Sequence, residues 1–249
     1  STLEPSSAAS DVYKRQSGDG SSGSPYATLY KALSVASCGN IIDVAAGTYN
    51  TTSDDNLSIN STTLTGLTIR GAGMGQTIFK KNSGVSNTRF MQITGAGTLT
   101  IENLTIKDFD VTSGYWVHGL GLYISSSGTT NVNSVHFDNI GLDKGRNKGG
   151  GIYASSGTVN VDRCKFTDGT GASAYYDYWN QEYALGPCIY VGSGTVSITN
   201  SLFYDNNCGR TTDNGHIYLN GGTTDITNCT FTDNSSSVDG LIYCAGGTN

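Results

Sequence analysis

Hydrophobic and polar residues alternate in short segments along most of the chain. In the segment TVNVD at 158–162, two valines alternate with polar residues, and TVSIT at 195–199 and TTDIT at 223–227 follow the same pattern. A period of two is typical of a β-strand with one buried face. Each segment has only two or three inward positions before a Gly, Ser or Asn turn, which is too short for a stable isolated hairpin. The pattern therefore predicts short strands that are stabilised by stacking.

These strands belong to a sequence repeat. Four copies align almost without gaps, GLYISSSGTTNVNSVHFDN at 121–139, GIYASSGTVNVDRCKFTDG at 151–169, CIYVGSGTVSITNSLFYDN at 188–206 and HIYLNGGTTDITNCTFTDN at 216–234. A diverged copy precedes them at 90–110, and a partial copy follows at 241–247. Self-similarity of this kind indicates a solenoid of stacked coils, in which each strand pairs with its copy about 4.8 Å along the axis.

The alignment places one residue type in each column of the stack. The first inward column contains Ile106, Phe137, Phe166, Phe203 and Phe231. The second inward column contains Leu122, Ile152, Ile189, Ile217 and Ile242. An outward column contains Tyr123, Tyr153, Tyr190, Tyr218 and Tyr243. A column at the corner contains Asp108, Asn139, Asp168, Asp205 and Asp233. We therefore predict an all-β fold, a parallel β-helix over 40–249 whose first rung is NIIDVAAGTYN at 40–50.

The segment at 21–39 predicts a short N-terminal helix that caps this core. Ser24 is a favourable N-cap residue, and Pro25 is favourable at the first helical position. Leu29 and Leu33 then lie on one face. A helix across the end of a coil would cover an otherwise bare core and block end-to-end strand pairing.

Both ends of the sequence differ from the repeat region. Residues 1–20 are expected to lie outside the fold, because SSAASDVYKRQ at 6–16 resembles translated sequencing-adapter sequence and lacks the apolar core of a signal peptide. No capping pattern follows the last coil. We therefore expect a β-helix that is truncated at its C-terminal end, as a fragment of a longer protein.

Composition restricts the class of protein further. The chain of 249 residues has 34 glycines and only 14% charged residues, which excludes a disordered chain or a helical bundle and suits β-structure with many turns. The net charge of −6 argues against a nucleic-acid partner. No apolar run approaches the roughly 20 residues of a membrane-spanning helix. The composition favours an extracellular or cell-surface location, and the cysteines permit a bridge between Cys188 and Cys208 without requiring one.

The aligned copies carry two short motifs. GGGI at 149–152 approximates a GGA-I/L/V box, and FYDN at 203–206 and FTDN at 231–234 match an F-x-x-N box. Other copies depart from the second box, with Gly169 and Ile140 in place of its Asn. In these motifs the chain resembles the repeats of chlamydial-type polymorphic outer-membrane proteins. The resemblance implies right-handed coiling, surface exposure and adhesion.

The β-helix is also the scaffold of pectate lyases, pectin methylesterases and polygalacturonases. GTYN at 47–50 is similar to the opening of many such enzymes, but Gly is expected in that tight turn in any case. The polygalacturonase motifs NTD, DD, GHG and RIK and the esterase motifs QDTL, DFIFG and LGRPW are missing. We therefore assign no catalytic residue. An alternative is a polysaccharide lyase or hydrolase that uses the Asp column with Arg210 or His216.

The acidic corner column allows three interpretations. Asp168, Asp205 and Asp233 lie one coil apart, so they meet the spacing of a catalytic carboxylate pair for a purely geometric reason. Stacked like charges repel each other, and a Ca²⁺ ion bound by carboxylate and carbonyl oxygens would relieve that repulsion. A solvated corner in which Asp bonds to the turn backbone is the third interpretation, and we favour it. We predict no other cofactor.

The copies differ in length at one place, between the corner and the next tyrosine strand. These inserts occupy 109–119, 140–149, 169–187, 206–215 and 235–240. Because the corner is the same in every coil, the inserts are predicted to project from one edge. Their aromatic residues are candidate ligand contacts, namely Tyr115, Trp116, Tyr175, Tyr176, Tyr178, Trp179 and Tyr183. Aromatics on variable loops over a rigid scaffold suit recognition, although the longest insert could instead pack on itself. The outward tyrosines could stabilise the sheet or offer an aromatic strip to a ligand, and we favour the first.

These observations lead to three functional hypotheses. The first is a non-catalytic, extracellular β-helix that acts as an adhesin or structural stalk and binds a glycan or a protein on another surface through its edge loops. The second is a polysaccharide lyase or glycoside hydrolase of the pectate-lyase-like type. The third is a structural subunit of an extracellular filament that self-associates end to end.

Overall fold

A computed structural model describes the chain at residues 2–3, 18–84, 87–111, 117–142, 147–171, 184–209, 214–236 and 240–248. It shows a parallel β-solenoid of about six turns with a short helix near the N-terminus, which confirms the predicted fold class. Equivalent strands pair in parallel and in register, as the alignment requires, so that Phe166 pairs with Phe203 and Phe203 with Phe231.

Each coil contributes strands to three long faces, which we name after their most regular columns. The tyrosine sheet contains Leu57–Asn60, Met91–Thr94, Leu122–Ile124, Ile152–Ala154, Ile189–Val191, Ile217–Leu219 and Ile242–Cys244. The valine sheet contains Thr2–Leu3, Ile41–Val44, Leu67–Gly71, Thr158–Asp162, Thr195–Thr199 and Thr223–Thr227. The phenylalanine sheet contains Gly47–Tyr49, Thr77–Lys80, Lys165–Thr167, Leu202–Tyr204 and Thr230–Thr232. Two longer strands, Thr98–Lys107 and Thr129–Asp138, run through both the valine and the phenylalanine sheets. A small pair, Gly141–Leu142 and Thr170–Gly171, lies beyond them.

Two columns of residues with left-handed backbone turn the chain from one face to the next. The first lies between the valine and phenylalanine sheets and contains Asn103, Ser134, Arg163, Asn200 and Asn228. The second follows the phenylalanine sheet and contains Asp108, Asn139, Asp168, Asp205 and Asp233. Asn and Asp tolerate this conformation better than other residues with a Cβ, because their short polar side chains bond to nearby backbone. The acidic column of the sequence is therefore a column of corners.

The core is a stack of aromatic rings along the axis. Phe137, Phe166, Phe203 and Phe231 lie with successive ring centroids 4.8, 4.8 and 4.5 Å apart and ring planes within 6° of parallel. Burial of such large rings is a main stabilising contribution in this fold. The predicted inward column is confirmed.

The glycines of the GG box are explained by this stack. A Cβ built on Gly151 would lie 2.8 Å from the ring of Phe166, and one built on Gly121 would lie 2.8 Å from the ring of Phe137. A Cβ atom does not approach a ring carbon this closely, so the strand can approach the ring only where no side chain intervenes.

The F-x-x-N box has a different physical basis. Asn206 is buried, and its Nδ2 donates to the carbonyl oxygen of Phe166 in the preceding coil at 2.9 Å. Its Oδ1 accepts from the amide of Gly169 at 2.9 Å. Asn234 repeats the arrangement one coil later and donates to the carbonyl of Phe203 at 2.7 Å. The amide side chain therefore satisfies backbone groups that the corner leaves without a strand partner.

The N-terminal helix is shorter than predicted. It spans Leu29–Val35, and Thr28 rather than Ser24 caps it, because the Thr28 hydroxyl accepts from the amide of Lys31 at 3.2 Å. The prediction that Ser24 and Pro25 open the helix is therefore wrong. Leu29 is fully buried against the first coil, as a capping helix requires.

Two further features concern the N-terminal segment and the cysteines. Thr2 and Leu3 pair in parallel with Asp43 and Val44, so this part of the expected leader is attached to the first coil, while residues 4–17 lie outside the described parts. No disulfide joins Cys188 and Cys208, so the bridge that the sequence permits is not formed. Within the described residues, no helix has the length and apolar character needed to cross a membrane.

Candidate functional site

The aromatic residues chosen from the sequence fall outside the described ranges. They are Tyr115, Trp116, Tyr175, Tyr176, Tyr178, Trp179 and Tyr183. Their role as ligand contacts stays a prediction. What the structure does describe is where the segments that carry them leave the rod and return to it.

These segments leave and return at one edge. On the leaving side, the amide of Val111 donates to the carbonyl of Gly141 at 3.2 Å, one coil away. On the returning side, the amide of Gly119 donates to the carbonyl of Lys148 and the amide of Gly149 donates to that of Leu185, both at 2.9 Å. The stacked stretches form what we call the loop edge, at 109–111, 117–120, 140–142, 147–150, 169–171, 184–187, 206–209 and 214–216. Backbone bonds between successive coils hold the bases of these inserts in register.

Buried asparagines fix the returning side of the loop edge. The amide of Val117 donates to Oδ1 of Asn147 at 2.7 Å, and the amide of Gly186 donates to Oδ1 of Asn214 at 2.9 Å. Nδ2 of Asn214 also donates to the carbonyl of Ala184 at 2.9 Å. Both asparagines are buried, so these bonds are protected from competing water. The described stretches at the returning side of the inserts therefore form a rigid base.

The outward tyrosines form a continuous stack beside the loop edge. Successive rings from Tyr123 to Tyr218 have centroids 5.0 to 5.2 Å apart and planes within 7° of parallel. Tyr190 and Tyr218 are only 2% and 8% exposed. Since each ring face lies against the next ring, the stack does not offer the open faces on which a sugar would pack. This geometry supports the stabilising interpretation of the column.

Three basic side chains lie on the tyrosine stack, and we call them the basic cluster. The guanidinium carbon of Arg89 is 4.7 Å from the centroid of Tyr123, and the imidazole of His118 stacks on Tyr153 at 5.2 Å. Nζ of Lys148 is 5.1 Å from the centroid of Tyr190. His118 and Lys148 belong to the loop edge, so the basic cluster adjoins the bases of the inserts.

Burial and neighbouring charge determine the protonation of the basic cluster. Burial, together with the positive charges of Lys148 and Arg89, lowers the pKa of His118 to about 4. The imidazole is therefore neutral at pH 7. Burial also lowers the pKa of the Arg89 guanidinium, which nevertheless stays charged.

No carboxylate of the described residues forms an ion pair with Arg89 or Lys148. Among these residues, the basic side chains that do pair with carboxylates are Arg70, Lys80, Lys81, Lys107 and Arg163. Arg89 has a weak contact instead, in which its Nη1 donates to Oε1 of Gln92 at 3.5 Å. The two cations of the basic cluster, Arg89 and Lys148, therefore have no acidic partner in the described structure.

Sequence reasoning identified Lys148 as a basic residue of an insert but did not bring Arg89 and His118 together with it, although a signal was present. His118 and Lys148 both stand four positions before the first residue of a tyrosine-sheet strand, which begins at Leu122 and Ile152 respectively. This shared offset places His118 and Lys148 at equivalent positions in successive coils. The repeat alignment begins at the GG box, so it leaves out both residues. Because the inserts before the box differ in length, the equivalence of the two positions is hard to see in the sequence.

The acidic column has the geometry of a structural corner. Asp168, Asp205 and Asp233 have φ angles of 56°, 53° and 55°, and the amide of Asp205 donates to the carbonyl of Thr232 at 3.3 Å. Within the described residues, no group of three or more His, Cys, Asp and Glu side chains is arranged to hold a metal ion. Backbone geometry is thus enough to account for the acidic residues, and a Ca²⁺ ion at this column stays a prediction.

The residues of the enzymatic alternative do not form a surface site in the described structure. His216 is 0% exposed, and neither ring nitrogen has a hydrogen-bond partner among the described residues. Burial lowers the pKa of His216 to about 4. A polymer outside the rod has no access to this imidazole, and Arg210 lies outside the described ranges.

Comparison with known proteins identifies the family. A family model described as "Protein of unknown function (DUF1565)" matches residues 13–173, which is more than half of the 249 residues. The chain belongs to the DUF1565 family. No curated protein is significantly similar to this DUF1565 chain in sequence.

A solved structure supports the fold. The DUF1565 chain superimposes on a rhamnogalacturonan lyase with a TM-score of 0.52 and 12% sequence identity. The alignment covers 100% of the DUF1565 chain and 62% of the lyase chain. At this identity the similarity establishes a shared β-helix architecture and carries no residue role across.

Proposed function

We propose that this DUF1565 chain is a non-catalytic, extracellular β-helix that binds a glycan at its loop edge. One observation carries the proposal. Hydrogen bonds between successive coils, such as Gly119 to Lys148 and Gly149 to Leu185, hold the bases of the inserts on one side of the rod, next to the basic cluster. Variable segments on a rigid base are the usual location of a recognition surface.

The composition of the inserts favours a glycan as ligand. Tyr176 and Trp179 lie in the longest insert, between the anchored positions Gly171 and Ala184. Aromatic rings on a loop can offer their faces to a sugar, which the stacked tyrosines cannot. The solved structure that shares the fold is named as a lyase of a polysaccharide, which also favours a carbohydrate ligand.

The resemblance to polymorphic outer-membrane protein repeats supports a place at a cell surface and an adhesive role. It rests on the two boxes, whose physical basis is the close approach of Gly151 to Phe166 and the buried bonds of Asn206. An elongated rod with its binding groups along one edge suits contact with an extended polymer.

A polysaccharide lyase is the second candidate function, and one observation favours it. Arg89, His118 and Lys148 lie on successive rungs of the tyrosine stack, with His118 between the two cations. Neighbouring cations can stabilise a developing negative charge. This candidate uses the loop edge and replaces the enzymatic hypothesis based on the Asp column and His216.

Binding assays on the full chain separate these functions. The double variant Tyr176→Ala/Trp179→Ala is expected to lose binding on a glycan array while its circular dichroism spectrum and melting temperature stay unchanged. Tyr30→Ala is a matched control, because Tyr30 is a tyrosine that is 61% exposed on the capping helix and belongs to none of the inserts. Equal binding by the double variant and the wild type would exclude the inserts. Cleavage of a bound glycan would favour the lyase, and binding to cells that persists after removal of their glycans would favour a protein partner.

A further inference from the structure

The basic cluster is unusual for this chain. The net charge is −6, yet Arg89, His118 and Lys148 lie on successive rungs of one tyrosine stack. Charges of the same sign repel each other, and the repulsion strengthens where burial excludes water. Both neighbouring cations accordingly contribute to the depressed pKa of His118, after burial itself. An arrangement that is unfavourable in the free protein becomes favourable when an anion occupies it.

The geometry leaves donors available for such an anion. Arg89 lies with its guanidinium carbon over the face of Tyr123, which supports the planar group from one side. Its side chain makes only a long hydrogen bond within the described residues, from Nη1 to Gln92. A guanidinium held in this way can direct a pair of N–H donors at a carboxylate.

The two permanent cations are spaced along the rod. Arg89 lies on Tyr123 and Lys148 lies on Tyr190, and these tyrosines are two rungs apart. Two rungs correspond to roughly 9.6 Å along the axis. A polymer with an acidic group at regular intervals can therefore contact both cations at once, and simultaneous contact multiplies their contributions.

We propose that the basic cluster binds the carboxylates of an acidic polysaccharide that runs along the rod, with Arg89 and Lys148 each holding one acidic group and His118 lying between them. This inference rests on the proposed function and specifies the class of glycan. The tyrosine stack supports the cations.

The test is calorimetric titration of the full chain with a carboxylated oligosaccharide, a uronic-acid oligomer, and with the same oligomer after its carboxyl groups are esterified. Arg89→Gln and Lys148→Gln are expected to weaken binding of the free acid by about tenfold each, the range of a hydrogen bond to a charged group. Binding of the ester is expected to be weak and equal in all proteins. Arg163→Gln is the control, because it removes an exposed positive charge from a different corner.

Each outcome has a distinct meaning. If the wild type and both variants bind the acid equally well, the basic cluster is not the binding site, while the proposal of glycan binding stands.

If the wild type binds the acid and the ester with equal affinity, the proposal that the glycan is acidic is wrong, and the proposed function is unaffected. Tighter binding of a sulfated oligomer that also depends on Arg89 would overturn the choice of carboxylate. Absence of binding to any glycan would overturn both proposals. Arg89→Lys, which retains the charge but not the planar group, gives a second variant if Arg89→Gln does not fold.

Discussion

The ring of Phe203 lies 4.8 Å from the ring of Phe166 in the preceding coil, and the two planes are 1° from parallel. Each ring is thus part of the packing surface of the next. Removal of one ring would leave a cavity between its two neighbours in the stack. We expect few side chains nearby that could move to fill this cavity. The fold is therefore expected to respond strongly to changes in this column and weakly to changes on the opposite side of the same strand.

Phe203→Ala is expected to lower the free energy of unfolding by about 3–5 kcal/mol, the range for removal of a buried aromatic ring. Tyr204→Ala is the matched control, since Tyr204 is the next residue and is 40% exposed. Its effect is expected to stay within about 0.5 kcal/mol. Urea denaturation followed by circular dichroism measures both. Equal effects of the two variants would contradict the assignment of inward and outward positions.

Asn206→Ala tests the basis of the F-x-x-N box. The change leaves the buried carbonyl of Phe166 and amide of Gly169 without partners, so we expect a loss of about 2–4 kcal/mol. Asn220→Ala is a suitable control, because Asn220 is exposed and its bond to the carbonyl of Val191 is made by its backbone amide. The same denaturation assay applies. A loss no larger than that of the control would show that water satisfies these groups.

His216→Leu is expected to stabilise the protein, by about 1–3 kcal/mol at pH 7, because it removes two buried ring nitrogens that have no partner among the described residues. The gain is expected to be larger near pH 5. The pKa of His216 is about 4 in the folded protein, against 6.5 for an ordinary histidine, so the unfolded chain binds the proton first. Stability due to this group is therefore lost as the pH falls from about 6.5 to about 4.

The acid response of the whole chain also contains an opposing contribution. Burial raises the pKa of Asp54 to about 6, so the folded protein takes up this proton before the unfolded chain does. As the pH falls through this window, protonation of Asp54 therefore increases the stability of the folded protein, whereas protonation of His216 decreases it. Comparison of melting temperatures from pH 7 to pH 4 in the wild type and His216→Leu isolates the histidine. Parallel curves for the two proteins would contradict its assignment.

Asp205→Val and Asp205→Asn distinguish a corner from a cation site. A β-branched residue is strained at a φ of 53°, so the Val variant is expected to lose about 1–2 kcal/mol, whereas Asn tolerates the conformation and should stay within about 0.5 kcal/mol. A Ca²⁺ site predicts instead that Ca²⁺ raises the melting temperature of the wild type and that Asp205→Asn abolishes the increase. Melting curves with and without Ca²⁺ decide between the two.

Binding of an acidic glycan is expected to change the protonation of His118. A bound carboxylate favours the imidazolium, so the pKa of His118 in the complex lies above its value of about 4 in the free protein. Affinity is therefore expected to increase as the pH is lowered from 7 to 5, with uptake of a proton. Titrations at several pH values measure this trend, and His118→Gln should remove it. An unchanged trend in that variant would assign the effect to another group.

Most of the fold could be predicted from the repeat. Stacked coils bring equivalent positions together, so the inward position of Phe203 and the outward position of Tyr153 followed from the alignment alone. The corners were less visible, since the positive φ of Arg163 is imposed by its neighbours rather than by its own preference. The burial of Tyr190 also could not be predicted. Lys148, on the returning side of the loop edge, lies close to this ring, and that segment is not part of the aligned copies.

The site was harder to predict than the fold. Arg89, His118 and Lys148 are each about thirty positions apart, and they meet only because one coil has about that length. His216 shows the opposite error, since a His beside Gly215 resembles a fragment of an enzyme motif although its side chain is buried in the rod. Repeat alignment identifies neighbours in the stack, but it does not show which outward groups the irregular segments cover.

A hydrogen-exchange footprint of the full chain with a uronic-acid oligomer tests the central claim most directly, that the loop edge is the binding surface. The account predicts slower exchange at 117–120, 147–150 and 184–187 on addition of the oligomer, with no change at 195–199 and 223–227 in the valine sheet. Protection confined to the valine or phenylalanine sheet, or none at saturating oligomer, would contradict it.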